Sequence, residues 1–118
     1  TADVYREADR LGLGRSEDEL GSLRARLEES FSRDWVVNDL EPAALSLAPR
    51  LGEMLGAVQR AGADDAIVCG SGPTVIGLFW GADGSSRARE AAVRLHDDHP
   101  AAVTADPVRG GDDALAAN

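Results

Sequence analysis

The stretch 66-AIVCGSGPTVIGLFW-80 joins two apolar runs through a short glycine-rich turn. Valine and isoleucine in the two runs favour β-strands, whereas the glycines and the proline between them interrupt regular structure. The pattern therefore predicts a β-hairpin with a loop at residues 70–74.

The predicted hairpin loop has the composition of a site that other groups approach closely. Gly70 and Gly72 can adopt positive φ angles and have no side chains, so another group can come close to the backbone. Ser71 and Thr74 add small hydroxyl groups, and Pro73 lies between them and the second strand. A phosphate group suits such a loop. An ordinary tight connection that needs its glycines only for geometry is the alternative.

The composition excludes several classes of function. The 118-residue chain has a formal net charge of −9, which disfavours nucleic acid and an anionic membrane surface as partners. All 12 basic residues are arginine, so the chain cannot supply a Walker A lysine or a Schiff-base lysine. No apolar run reaches membrane-spanning length, and the chain begins at Thr1 as if it were cut from a longer one. We expect a single cytoplasmic domain.

The thiol and imidazole groups do not indicate catalysis or metal binding. Cys69 is the only cysteine, so no internal disulfide can form, which fits a reducing cytoplasm. Because it lies in an apolar strand, we expect a buried and inert thiol. His96 and His99 come just before Pro100, where we expect a solvated helix end and no metal site.

Helical periodicity predicts two helices before the first motif. The first covers residues 1–11 and ends at the glycine that follows. Ser16 and Glu19 form a capping box for the second helix, which runs to about residue 30. Apolar residues at helical spacing predict a buried stripe on the second helix, made of Leu20, Leu23, Leu27 and Phe31.

The motif Asn38-Asp39-Leu40-Glu41-Pro42 has the features of a helix start, with short polar residues, an acid near the positive end and a proline in the first turn. The helix is expected to run to about residue 60, with a jog at Pro49. Its predicted inward stripe consists of Leu47, Leu51, Leu55 and Val58. Arg50 and Arg60 flank this helix and are expected to face solvent, although contact of either with a phosphate stays open.

The segments after the hairpin complete an α+β pattern. A loop that ends in a capping Ser86 leads to a helix over residues 86–96, and weak alternation predicts a strand over residues 101–108. The small and acidic residues 109–118 are typical of a flexible tail. The element order resembles the second half of a ferredoxin-like β-α-β-β-α-β unit. We therefore expect an antiparallel sheet with helices on one face, in which the first, central strand is missing.

A missing central strand would leave unpaired backbone groups within the sheet. Another chain segment could fill this gap, or two copies of the chain could pair their edges as a homodimer. An isolated chain of this kind is expected to have marginal stability.

The two motifs together resemble the carboxy-terminal domain of the GHMP kinase superfamily. The resemblance rests on residues 38–44 (NDLEPAA), on the helix that follows and on the loop at residues 70–74, and it extends to the opening residues 1–9 (TADVYREAD). It covers residues 1–108. Within the superfamily, the best fit is to the kinases of the non-mevalonate isoprenoid pathway whose substrate carries a diphosphocytidyl group.

The resemblance implies roles for both motifs. The loop, made of Gly70, Ser71, Gly72, Pro73 and Thr74, would lie in the cleft between two domains, where it would support the ATP loop and line the substrate site. Backbone amides turned outward by glycines suit this role, since they attract anions. Asn38 and Asp39 would fix a helix start and face the other domain, with capping favoured over ligand contact.

The chain departs from the family in what it lacks. The family's glycine-rich ATP loop and its catalytic aspartate and lysine belong to an amino-terminal domain, which this sequence does not contain. ATP and Mg²⁺ are therefore expected to bind the parent enzyme and not this chain, which should be inactive alone. The expected partners are the amino-terminal kinase domain and a small-molecule substrate. A homoserine or mevalonate kinase and a non-enzymatic ferredoxin-like binding module are the alternatives.

Overall fold

The computed structural model describes residues 1–107; position 108 and the predicted tail 109–118 lie outside the described residues. Four helices precede the hairpin, where the sequence predicts three, and one follows it, so the predicted α+β class is confirmed. The helices are α1 (Ala2–Leu11), α2 (Glu17–Glu29), α3 (Glu41–Leu47), α4 (Arg50–Arg60) and α5 (Gly84–Leu95), and the strands are β1 (Asp65–Val68) and β2 (Val75–Leu78). A 3₁₀ turn at Arg33–Trp35 connects α2 to the first motif.

The predicted hairpin is confirmed. β1 and β2 pair antiparallel, and Asp65 lies opposite Leu78 while Val68 lies opposite Val75. Val68 is 1% exposed, so the last residue of β1 lies in the centre of the core. The hairpin is the whole sheet in the described part of the chain.

The core is formed mainly by small side chains where helices cross. Ala43 and Ala44 of α3 are almost fully buried, and they pack with Val4 and Ala8 of α1. α4 crosses both strands and adds Leu51 to the same cluster. Because alanine allows two helices to approach closely, this short chain can build a core with few large side chains.

Two arginines of α5 attach this helix to its neighbours, Arg87 to the hairpin and Arg94 to the end of α4. The Arg87 guanidinium lies 2.7 Å and 3.1 Å from the two Asp64 carboxylate oxygens and also donates to the carbonyl oxygen of Trp80. The Arg87 hydrogen bond, helped by the Trp80 backbone N–H, lowers the pKa of Asp64 to about 2. Arg94 donates to the Ala61 carbonyl oxygen over 2.8 Å and so joins α5 to the end of α4.

α2 forms as predicted, but its apolar stripe is not buried. Ser16 and Glu19 make both hydrogen bonds of the capping box. Leu20 and Leu27 are each 51% exposed, and Phe31 is 66% exposed. The predicted burial is therefore wrong, because α2 packs against none of the other helices or strands within residues 1–107.

The long helix expected from the first motif to residue 60 is two helices. It divides at Ala48 and Pro49, where Ala48 leaves the helical region with φ −136° and ψ 77°. A proline disfavours helical backbone at the preceding residue, which explains why the expected jog becomes a break. Leu51 is buried as predicted, whereas Leu47 lies on the other side of the break and is 49% exposed.

Cys69 is exposed, so the prediction of a buried thiol is wrong. The strand ends at Val68, and Cys69 is the first residue of the turn.

The helix α5 begins two residues earlier than predicted, at Gly84, and its N-cap is Asp83 in place of Ser86.

The predicted last strand is also wrong for residues 101–107, which contain no strand. A strand needs a neighbour with which to exchange hydrogen bonds, and the described residues offer no third strand beside β1 and β2.

No helix in this part of the chain is long and apolar enough to cross a membrane.

Gly77 tests the packing of α4 on the sheet. A Cβ at residue 77 would lie 2.5 Å from Val58 Cγ1 and 3.2 Å from Ala63 Cβ. We expect Gly77→Ala to lower the free energy of unfolding by about 1 to 3 kcal/mol, because the helix must move. Gly21→Ala is the control variant, because residue 21 lies in the middle of α2 and its new methyl group meets no atom within 4 Å. Alanine favours a helix more than glycine does, so the free energy of unfolding should rise by up to about 1 kcal/mol. Urea denaturation measures both, and a neutral Gly77→Ala would contradict this packing.

The ion pair between Asp64 and Arg87 predicts a pH dependence of stability. The pKa of Asp64 is about 2 in the folded chain and near its ordinary value of 3.8 when unfolded. The stabilisation is therefore complete above the unfolded pKa and is lost as the pH falls towards 2. Asp64→Asn should lower the urea midpoint most at pH 6, less at pH 3 and least near pH 2. A difference between wild type and variant that stays constant over this range would refute the assignment.

Candidate functional site

The structure brings the two sequence motifs together through Asn38. Its side-chain Nδ2 donates to the carbonyl oxygens of Val68 and Gly70, over 2.8 Å and 2.7 Å. Its Oδ1 accepts from the Leu40 N–H over 3.1 Å. One amide group therefore organises the chain before α3 and also holds the start of the glycine-rich loop.

Glu41 holds the same strand end from the first turn of α3. Its Oε2 accepts from the Val68 N–H over 2.7 Å. The N–H and C=O of residue 68 point away from β2, because the next residue, Cys69, is the one that donates to Thr74. Asn38 and Glu41 thus satisfy both backbone groups of Val68 at the outer edge of β1, and a buried backbone group without a partner would be costly.

The glycines of the loop serve two different purposes. Gly70 has φ 57° and Gly72 has φ 76°, so both are in the left-handed region that glycine adopts most easily. A Cβ on Gly72 would lie 3.3 Å from Leu51 Cδ1 and 3.4 Å from Val68 Cγ1, whereas a Cβ on Gly70 would meet no atom within 4 Å. Gly72 therefore packs on the core, and Gly70 leaves open space at the surface.

The loop presents hydrogen-bond donors and no titratable side chain. The N–H of Gly72 donates to the carbonyl oxygen of Cys69, which closes the turn. The N–H groups of Gly70, Ser71 and Thr74 have no acceptor among residues 1–107. Ser71 Oγ lies 3.2 Å from Thr1 Oγ1, next to the start of α1, while the side chains of Pro73 and Thr74 are exposed. Such a loop can bind an anion but cannot transfer a proton through its own side chains.

Asp39 faces the start of α2. Its two carboxylate oxygens accept from Arg15, with distances of 2.6 Å and 2.7 Å. This hydrogen-bonded arginine lowers the pKa of Asp39. Leu40 is the N-cap of α3, and no side chain caps that helix.

Arg50 and Arg60 lie at the two ends of α4, and both are exposed. Arg60, Arg94 and His99 line an open cleft of about 210 Å³ between the ends of α4 and α5. Another open cleft, of about 320 Å³, lies along α2 beside Arg15. Neither cleft is lined by a residue of the glycine-rich loop.

The described residues do not form a metal site. No three side chains of histidine, cysteine, aspartate or glutamate in residues 1–107 lie close enough together to hold a metal ion. His96 is the C-cap of α5 and is exposed, and His99 follows it three residues later.

Glu41 and Arg15 are the residues whose contacts sequence reasoning missed. Glu41 has the position of an acid that favours a helix N-terminus, and nothing in its spacing indicates a bond to a strand 27 residues later. Arg15 precedes a capping box and carries no motif of its own. Both contacts depend on the tertiary packing of α3 against α1 and β1.

Comparisons with known proteins cover the part of the chain that contains both motifs. Residues 9–98 match the family model described as "GHMP kinases C terminal". The chain is 38% identical to a 4-diphosphocytidyl-2-C-methyl-D-erythritol kinase of Streptomyces avermitilis, an alignment that covers 93% of the chain and 39% of the relative. Kinases of the same name match from Streptomyces coelicolor, with 44% identity over 73% of the chain and 31% of the relative, and from Thermobifida fusca, with 43% identity over 80% and 31%.

The chain thus spans 31 to 39% of the length of these three relatives. No solved structure matches it significantly.

Glu41 offers a direct test of the contact between α3 and β1. Glu41→Ala removes the acceptor of the Val68 N–H, which belongs to a buried residue, so the free energy of unfolding should fall by about 1 to 2 kcal/mol. Glu41→Gln keeps an oxygen acceptor at the same position and should lose less than half as much. Urea denaturation of the three proteins measures the difference. Equal losses in both variants would show that the Glu41 charge matters and the hydrogen bond does not.

Proposed function

The chain belongs to the GHMP kinase C-terminal family, and we propose that it is the substrate-side domain of an ATP-dependent 4-diphosphocytidyl-2-C-methyl-D-erythritol kinase. The reaction would transfer the γ-phosphoryl group of ATP to the 2-hydroxyl of the substrate in the non-mevalonate isoprenoid pathway. The observation that carries the proposal is the hydrogen bond from Asn38 to the Gly70 carbonyl oxygen, because this bond brings the two sequence motifs together. The names of the relatives support the substrate.

The glycine-rich loop would form one wall of the active site. The free N–H groups of Gly70, Ser71 and Thr74 would face phosphate oxygens, either of the diphosphocytidyl group or beside the ATP loop. The open space at Gly70 would let the substrate reach the backbone. These groups bind and orient, which is a large part of what an enzyme must do for phosphoryl transfer.

The described residues do not fit the rest of the chemistry. They contain no group of side chains suited to Mg²⁺, and the whole sequence has no lysine to contact the phosphates. The proposal therefore assigns ATP, Mg²⁺ and the catalytic residues to another domain of a longer parent protein. This chain by itself would be inactive, and the parent would be a cytoplasmic enzyme.

The outer edge of β2 is where we propose that the other domain joins this one. Along β2 the backbone groups of Val75 and Gly77 point away from β1, and neither finds a partner in residues 1–107. A strand from the amino-terminal part of the parent would complete the sheet there. In its absence, two copies of this chain could pair through the same edges as a homodimer.

Gly70→Ala in the parent kinase tests the role of the loop, with Gly12→Ala as the matched control. Both glycines have left-handed φ angles, 57° and 67°, and an added Cβ meets no atom within 4 Å at either position. Each variant should lose a similar amount of stability, about 1 kcal/mol. Only Gly70→Ala should lower kcat/KM for the diphosphocytidyl substrate, by about tenfold or more, because its methyl group displaces the substrate.

The assay measures ATP-dependent phosphorylation of 4-diphosphocytidyl-2-C-methyl-D-erythritol, and the 118-residue chain alone should give no turnover. A parent that phosphorylates homoserine or mevalonate and not this substrate would replace the proposed function by another GHMP kinase activity. A parent without any kinase activity would leave a binding module as the function.

A further inference from the structure

Asn38 holds two carbonyl groups of the hairpin on either side of Cys69. Its amide donates to the carbonyl oxygens of Val68 and Gly70, and the distances of 2.8 Å and 2.7 Å are those of good hydrogen bonds. No other side chain within residues 1–107 donates to the carbonyl groups of residues 68–74. Asn38 therefore holds the peptide units that begin at Val68 and Gly70, and the first of these is also held by the bond from the Cys69 N–H to the Thr74 carbonyl oxygen.

The direction of a carbonyl group fixes the direction of the next N–H. In a trans peptide the C=O and N–H point to opposite sides, and the only cis peptide in the described chain is between Gly72 and Pro73. The Val68 carbonyl points to Asn38, and the Cys69 N–H of the same peptide points the other way, to Thr74.

The next held peptide follows the same rule. The Gly70 carbonyl points to Asn38, so the Ser71 N–H must point away from it. The Ser71 N–H has no acceptor in the part of the chain that the structure describes. It is thus a donor that the protein has oriented and left free.

We propose that Asn38 is a positioning residue that aims the Ser71 N–H at a phosphate oxygen of a bound substrate. The inference rests on the proposed function, and it adds the donor and the group that orients it. Glycine at position 70 makes this support necessary, because a glycine allows the following peptide unit to rotate into other orientations at little cost. When a loop samples several orientations, its apparent affinity for the ligand is the intrinsic affinity multiplied by the fraction of time that it spends in the correct orientation.

Asn38→Asp separates loop positioning from helix formation. An aspartate keeps the oxygen that accepts from the Leu40 N–H, but it places a carboxylate against the carbonyl oxygens of Val68 and Gly70. Gln59→Glu is the matched control, because it makes the same change from amide to acid at an exposed position on α4.

The first measurement is amide hydrogen exchange in the 118-residue chain, and it requires no activity. Asn38→Asp should speed exchange at Cys69 and Gly72, whose N–H groups are hydrogen-bonded inside the turn, by about tenfold or more. Exchange in α5 should stay within about twofold, and Gln59→Glu should leave the turn unchanged. Unchanged exchange at both turn residues, or equal acceleration in α5, would overturn the positioning role.

The second measurement is steady-state kinetics of the parent kinase. Asn38→Asp should raise the KM of the substrate whose phosphate meets Ser71 by about tenfold, with kcat within about twofold. If the KM rises for only one of the two substrates, the diphosphocytidyl compound or ATP, that substrate carries the phosphate that the Ser71 N–H contacts. A lower kcat with both KM values unchanged, as a smaller folded fraction would give, would overturn the proposal. If the wild-type parent has no activity, the proposed function fails, and the exchange experiment still decides the role of Asn38.

Discussion

The hydrogen bonds that Asn38 and Glu41 make to Val68 are the constraint on which the other features of the site depend. A two-stranded hairpin alone is marginally stable in water, and its edges expose backbone groups. Here the outer edge of β1 receives an acceptor from Glu41 and a donor from Asn38. The end of β1 is thereby fixed to α3, and the side chain of Val68 lies almost fully buried among the helices.

This attachment also determines how the loop leaves the sheet. Besides Val68, Asn38 also donates to the Gly70 carbonyl oxygen, and Gly72 packs on the core against Leu51 of α4. The loop is therefore held at both ends by elements that come from different parts of the sequence. The backbone N–H groups of Gly70, Ser71 and Thr74, which have no acceptor among residues 1–107, remain available to a ligand together with the small hydroxyl groups of the loop.

Local patterns predict the elements of this fold well and their packing poorly. The hairpin at residues 65–78 and the capping box of α2 follow from composition and spacing, and both are present. The predicted burial of the α2 stripe and the predicted strand at residues 101–107 are wrong, because each needs a packing partner that the described residues lack. Likewise, the motif spacing predicts both halves of the candidate site, but the bond from Glu41 to Val68 depends on how the helices pack.

The charge of the chain explains why such fixed donors are needed for the proposed ligand. With a formal net charge of −9, the chain repels a polyanionic substrate at a distance, although salt screens this effect beyond about 8 Å. In the proposed enzyme, binding of a phosphate group would then rely on short-range hydrogen bonds and on positive charges supplied by the other domain. Short-range bonds lose strength steeply when the donor is turned away from its acceptor. An acidic domain that binds phosphate through neutral N–H groups therefore needs those groups held in one direction, and the side chain of Asn38 is placed to do this.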